Sequence, residues 1–202
     1  MHTMEWMSHS IRRSTTKVGL GRFWVMITPA YESMLKLIFK RGLKRTINNT
    51  DTLFISHKLR YFGETYEPRA WAWLMSQVQQ AAVIVDVGAH VGLYAIALAK
   101  RAGKDAKVIA FEPEPDNLAL LRENVSLNKA SSQIEIINSA VGDKKEKLRF
   151  HAGLTFVSRV VLGPRSDGVE YKEVESITLD EFFEGKELDI LKIDVEGYEG
   201  KV

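Results

Sequence analysis

The sequence predicts an α/β fold with a parallel sheet. Three observations point there. Val83–Val87 (VIVDV) is a short β-branched run. Lys107–Phe111 and the stretch Ile134–Val141 contain further strands. Between them lie two helix-like stretches, Leu93–Ala102 and Pro115–Asn128. Strand, helix, strand, helix, strand at this spacing is the signature of parallel strands joined by crossover helices.

The segments on either side extend this reading. From Ile11 to Arg45 the charges are almost all basic: Arg12, Arg13, Lys17, Arg22, Lys36, Lys40, Arg41, Lys44 and Arg45, against Glu32. A helix is expected from Pro29 to about Arg41, with Thr28 as cap, Pro29 in the first turn and Gly42 at the end. Tyr31, Met34, Leu35, Ile38 and Phe39 would share a face. Such a stripe ordinarily packs on a core. The alternative is a basic amphipathic helix touching a membrane surface or an acidic partner. Residues 1–60 are therefore read as a basic N-terminal helical extension and 61–202 as the α/β domain. A second helix is expected over Pro68–Gln80, with Trp71, Leu74, Met75 and Val78 on its apolar side.

Beyond the third strand, Lys147–Phe150 and Glu170–Val174 read as short extended segments, with a loop marked by Gly163, Pro164 and Gly168 between them. Thr178–Glu181 (TLDE) matches a capping box and opens a short helix with Phe182 and Phe183. Leu188–Asp194 (LDILKID) is the next strand.

Composition narrows the function classes. The 202 residues are 45% hydrophobic and 27% charged, as in soluble globular proteins. Net charge is +2, which argues against a nucleic-acid binder by charge alone. There are no cysteines, which excludes disulfides, cysteine zinc sites and thiol nucleophiles. No apolar run reaches the length of a membrane span, and the N-terminus is not a good signal peptide, so a cytoplasmic location is expected.

The chemistry concentrates after the first strand. Asp86 lies near its end, and Gly88 and Gly92 follow in the turn (DVGAHVG). Glycine there allows close backbone approach, and a helix N-terminus favours electron-rich groups. The spacing is not the G-x-G-x-x-G that cradles a pyrophosphate. A carboxylate suits the ammonium and sulfonium of S-adenosylmethionine, directly or through water. Glu112 ends the second strand, twenty residues beyond Gly92. An acid there is placed to accept both ribose hydroxyls of a nucleoside. Alone, the glycines could be turn chemistry and Glu112 a solvated loop acid; together they indicate a nucleoside-type ligand.

These strings resemble the FkbM-type methyltransferases. The likeness runs from about Gly63 to Val202 through VIVDVGAHVGLYAIALAK, VIAFEPEPDNLALLRENVSLN, INSAVGD and LDILKIDVEGYEGKV. FEPEP and KIDVEG are its most specific parts, and Tyr66, Glu67 and Pro68 resemble the segment leading to the first strand. The resemblance implies a Rossmann-like class I methyltransferase fold, S-adenosylmethionine as cofactor, and a hydroxyl acceptor on a sugar or natural product. It puts Asp86, Gly88, Ala89, His90 and Gly92 at the cofactor, the first, second and last of these around its methionine part. Glu112, with Pro113, would hold the ribose, and Ala140 and Val141 would lie near the adenine. Asn128 would be structural. The family more often has asparagine at His90. Its complete fold has three more strands after KIDVEG, so the sheet is expected to be incomplete at the C-terminus, with N-terminal helices before it, and the chain is read as a truncated form.

Asp194 is the first candidate for a general base on the acceptor, with Glu196 second; both follow the last strand. Lys192 shares a strand face with Asp194 and is read as its structural ion-pair partner. His151 is a weaker candidate base. Asp194 and Glu196 lack a third ligand, so no metal is expected. The leading function is O-methylation of a small-molecule or glycan acceptor, with no nucleic-acid partner. A truncated, non-catalytic remnant or interaction module and an NAD-dependent oxidoreductase are the competing readings, the latter opposed by the glycine spacing.

Overall fold

The computed structural model describes residues 31, 33–151, 171–195 and 197–202. Met1–Lys40 and Arg41–Val202 form separate units. In the first, residues 33–38 are helical, with Met34, Leu37 and Ile38 exposed. The expected helix start at Pro29, and the basic residues from Arg12 to Arg22, lie outside the described residues.

The second unit opens with a hairpin. β1 (Leu43–Ile47) pairs antiparallel with β2 (Asp51–Ile55), Leu43 facing Ile55 and Ile47 facing Asp51. Asn48 and Asn49 make the turn at φ 50° and 59°, a left-handed conformation that asparagine tolerates. The stretch read as a helical extension thus contains two strands. Its period is two: Leu43, Ile47, Leu53 and Ile55 are buried on one face. The intervening basic residues masked that alternation.

α1 (Pro68–Gln77) follows and buries Trp71, Leu74 and Met75. It stops three residues short of the expected Gln80 because Val78 is extended, at ψ 122°. Asp51 ties the hairpin to the helices. One carboxylate oxygen accepts the Trp71 indole N–H at 2.8 Å, and the other accepts from Arg101 at 2.8 Å.

The remaining strands are β3 (Val83–Val87), β4 (Lys107–Phe111), β5 (Ile134–Ile137), β6 (Ala140–Val141), β7 (Lys147–His151), β8 (Tyr171–Ile177) and β9 (Ile190–Ile193). A four-stranded parallel sheet has the order β5-β4-β3-β9, and a three-stranded sheet the order β6-β8-β7. This is a Rossmann-like α/β architecture. The stretch Ile134–Val141, expected as one strand, divides at Asn138 and Ser139. Its first half pairs with β4 and its second with β8. The Ser139 hydroxyl marks the crossing by donating to the Glu175 carbonyl at 2.8 Å.

α2 (Leu93–Ala102) packs on β3, β4 and β5 as well as on β2 and α1. Having neighbours on several sides explains its composition: every residue from Leu93 to Ala99 is buried. α3 (Pro115–Leu127) begins with Pro115 and is capped by the Glu114 carboxylate, which accepts from the Asn117 N–H at 2.8 Å. In α4 (Leu179–Phe182) Thr178 accepts from the Glu181 N–H at 3.3 Å, as the capping box requires. The reciprocal half is absent, since the Glu181 carboxylate accepts from Lys145 at 2.6 Å. No helix among the described residues is long and apolar enough to cross a membrane.

Asn124 of α3 and Asn128, the residue that caps its C-terminus, fasten the hairpin to the sheet domain. Asn128 exchanges bonds with the Phe54 backbone, accepting at 3.0 Å and donating at 2.6 Å. Asn124 is fully buried; it accepts from the Ser56 N–H at 2.7 Å and donates to the Val91 carbonyl at 2.8 Å. Asn124→Ala leaves both backbone groups without a partner. A loss of about 3 kcal/mol in urea unfolding is expected, and a loss under about 1 kcal/mol would show that the clamp carries little stability.

The β3–α2 turn needs its glycines for the protein's own packing. A Cβ on Gly88 (φ 77°) would stand 1.9 Å from the Asp194 carbonyl oxygen. A Cβ on Gly92 (φ 85°) would stand 2.3 Å from a Leu121 methyl. A methyl can rotate away, whereas a strand-end carbonyl cannot. Gly88→Ala is therefore expected to cost on the order of 3 kcal/mol or more, and more than Gly92→Ala. Thermal unfolding of the two variants side by side checks the order.

Candidate functional site

The strand order reverses between β3 and β9: β4 and β5 follow β3 on one side, and β9 returns on the other. In open parallel sheets the crevice beyond the carboxyl ends of such neighbours is the ligand site. Backbone bonds stitch those ends together. Gly88 and Ala89 donate to the Phe111 carbonyl at 3.0 and 2.9 Å, and Asp194 donates to the Val87 carbonyl at 3.0 Å. A cavity of about 360 Å³ opens there. Gly88, Ala89 and His90 line it from the β3 loop, Glu112 and Pro113 from just after β4, Ala140 and Val141 from β6, and Asp194 from just after β9.

Two of the expected cofactor residues stand elsewhere. Gly92 packs on Leu121 and does not line the cavity. Asp86 does not line it either, because its side chain is fully buried. The cation it meets is the chain's own: Lys192 Nζ donates to Asp86 Oδ1 at 3.0 Å. Asp86 and Lys192 are direct register partners across β3 and β9. Asp194, the partner expected for Lys192, also forms an ion pair with it, at the longer distance of 3.8 Å. The ammonium also sits 4.9 Å from the centre of the Tyr94 ring. Burial opposes the lysine charge, but Asp86 foremost, with Asp194 and Glu67, raises its pKa on balance. Asp86 Oδ2 has no hydrogen-bond partner among the described residues.

Glu112 is 5% exposed and accepts three hydrogen bonds. Oε2 accepts the His90 N–H at 2.8 Å; Oε1 accepts the Glu114 N–H at 2.9 Å and the Asn117 amide at 3.4 Å. His90 takes a left-handed conformation, φ 52°, which turns its N–H toward Glu112. Asparagine and histidine both tolerate that region, so the residue type at 90 satisfies a backbone requirement. Burial pushes the Glu112 carboxyl up to about 7, against the lowering effect of its donors.

Several lining residues escaped the sequence reading. Asn117, in the first turn of α3, has its Oδ1 buried with no hydrogen-bond partner among the described residues. The Tyr94 hydroxyl donates to Glu67 at 2.9 Å, and both residues line the cavity. Glu67 itself is left-handed, φ 42°, just before Pro68. Burial and the bond to Glu67 raise the Tyr94 pKa. Tyr198 and Ser139 also line it beside the β6 residues. An aromatic in the first turn of α2 and an amide in the first turn of α3 were the available signals, since first turns after parallel strands face the crevice. Asp194 has a side chain 42% exposed. Glu196 lies outside the described residues, as does the side chain of His151 in β7.

Comparison with known proteins gives a family. Methyltransferase sdnD of Sordaria araneosa is 28% identical over 151 residues, covering 59% of this chain and 58% of that protein. The AMB antimetabolite synthetase AmbE of Pseudomonas aeruginosa is 32% identical over 83 residues, 39% of this chain and 4% of that one. The chain thus spans just over half of the first relative and a small part of the second. Among solved structures, a SAM-dependent methyltransferase from Aquifex aeolicus is similar at 22% identity and a TM-score of 0.33, over 39% of this chain and 40% of the other. Residues 86–202, more than half of the chain, match the family described as the methyltransferase FkbM domain, and the chain belongs to that family.

Proposed function

We propose that the chain binds S-adenosylmethionine in the cavity at the β3–β9 switch point and directs its methyl group to a hydroxyl of a small molecule or glycan. The supporting observation is that Glu112 from β4 and Asp194 from β9 line the same cavity as the backbone turn after β3. The residues fit the cofactor chemically. Glu112 retains acceptor capacity for a ribose hydroxyl beyond its three bonds. The Asn117 Oδ1, on the cavity wall, is a buried acceptor with no partner among the described residues. Ala140 and Val141 give an apolar wall for a base.

When bound, S-adenosylmethionine supplies a methyl group activated by a sulfonium. The protein's part is to bind and orient both reactants, an effect worth about 7–11 kcal/mol for well-aligned groups. Glu112 holds the ribose while Gly88, Ala89 and His90 fix the turn beside the methionine part. Buried Asp86 acts through Lys192, and Gly92 through packing of the turn on α3. Asp194, half-exposed at the strand end, takes the acceptor's hydroxyl proton as the acceptor oxygen attacks, a role worth about 10²–10⁴-fold. Glu196, two residues further along the sequence, is the second candidate.

Calorimetry tests the binding step. Saturable binding of S-adenosylmethionine by the wild type, weakened at least about tenfold in Glu112→Ala, is expected. A folded wild type that binds none overturns the reading. For the transfer step, Asp194→Asn is expected to lower kcat by about 10²-fold or more with cofactor affinity kept, and an unchanged kcat removes Asp194 as the base.

The Glu112 carboxyl adds a pH signature. Ribose hydroxyls donate to the ionised form, so binding must expel the proton that Glu112 carries below about 7. Affinity should therefore fall as pH falls, roughly tenfold from pH 8 to pH 6. Equal affinity at both pH values would remove Glu112 from the ribose site.

A further inference from the structure

Among the described residues, Lys192 is the one Lys or Arg that lines the cavity, where Glu67, Glu112 and Asp194 supply negative charge. A ligand that brings an anionic group into this cavity therefore has one strong partner to find. The ammonium is also incompletely used. It has three N–H donors. Among the described residues one of them makes a hydrogen bond, to Asp86 Oδ1 at 3.0 Å. Asp194 Oδ2 is beyond hydrogen-bond distance at 3.8 Å, and the Tyr94 ring centre lies at 4.9 Å. The side chain is held in place from behind, because Asp86 is its direct register partner and has no exposure of its own. A donor fixed before the ligand arrives loses little freedom on binding.

On the reading that the cavity takes S-adenosylmethionine, we propose that Lys192 is the residue that recognises the cofactor's α-carboxylate. That carboxylate is the only anionic group of the molecule. The ammonium gives it a charge-assisted hydrogen bond while keeping its bond to Asp86, so Asp86 acts as a positioning residue behind the contact. The assignment also orients the ligand. With the ribose on Glu112 at the end of β4 and the carboxylate on Lys192 of β9, the cofactor crosses the end of β3, and its sulfonium lies between the two holding points. A carboxylate on the acceptor is the other source of the same chemistry, and cofactor binding without acceptor separates the two.

The test compares three probes by calorimetry with no acceptor present: S-adenosylmethionine, its decarboxylated analogue, and 5′-methylthioadenosine. The first two share the sulfonium and the ammonium and differ in the carboxylate. The wild type should prefer the first over the second by about ten- to a hundredfold, the range of a hydrogen bond between charged groups. Lys192→Met should bring that ratio to within about twofold and leave the affinity for 5′-methylthioadenosine unchanged within about twofold. Lys192→Arg should restore part of the preference. Since Lys192→Met strands the buried Asp86 carboxylate, Asp86→Asn with Lys192→Met serves as the second variant, and circular dichroism confirms that each is folded. A preference that survives in either folded Met variant overturns the proposal, as does an equal loss of all three ligands. Absence of the preference in a wild type that binds 5′-methylthioadenosine also overturns it and leaves the cofactor reading standing. A wild type that binds none of the three overturns the cofactor reading and this assignment together.

Discussion

The ion pair between Asp86 and Lys192 is the constraint on which the rest of the site depends. Its two residues stand opposite each other across parallel strands β3 and β9, 3.0 Å apart, with side chains 0% and 12% exposed. Removing one partner of such a buried pair ordinarily costs about 3–5 kcal/mol, because the other is left charged and alone. A slip of one residue in the β3–β9 register would turn one of them to the opposite face of the sheet. The pair thus specifies the register, and the register sets how far the loops after β3 and β9 project. The Asp194 carbonyl occupies the place a Cβ on residue 88 would take, so that only glycine fits there, and this follows from that same alignment.

Glu112 shows how a second constraint builds on the first. Its carboxylate is held by the His90 N–H of the β3 loop and by Glu114 and Asn117 of the α3 start. The side chain therefore reports on two neighbouring strand ends at once. Glu114 continues the chain of contacts outward, capping α3 with one oxygen and accepting from Lys172 of β8 at 2.8 Å with the other. The acid at the cavity is thereby linked, through a helix cap, to the smaller sheet.

Much of the fold was legible because period and punctuation agreed. β3, α2 and β4 fall at the boundaries read from VIVDV, from the Leu93–Ala102 stretch and from Lys107–Phe111. The hairpin was not legible, since Leu43 and Ile47 of its first strand are spaced by Lys44, Arg45 and Thr46 at the end of a basic tract. Nor was the division between β5 and β6, because Ile134–Val141 is apolar enough to read as one strand and only the pairing partner changes. At the site, Glu112 and the β3 loop were found from their place after parallel strands. The nearer partner of Lys192 was not, because Asp194 is two residues away in sequence whereas Asp86 is brought close only by the sheet. The glycines were legible as necessary, but the space they leave is taken by Asp194 and Leu121.

The split at Ser139 has a consequence for how such a molecule can diversify. The cavity wall at Ala140 and Val141 belongs to the sheet β6-β8-β7, which shares no strand with the sheet carrying Asp86 and Lys192. Substitutions or changes of length in the smaller sheet can therefore reshape one wall without disturbing the register of the other. Loop-borne and edge-borne walls are where insertions are best tolerated. Evolution of ligand preference is in this way uncoupled from the strand pairing that holds the charged pair, and selection can act on one while the other stays fixed.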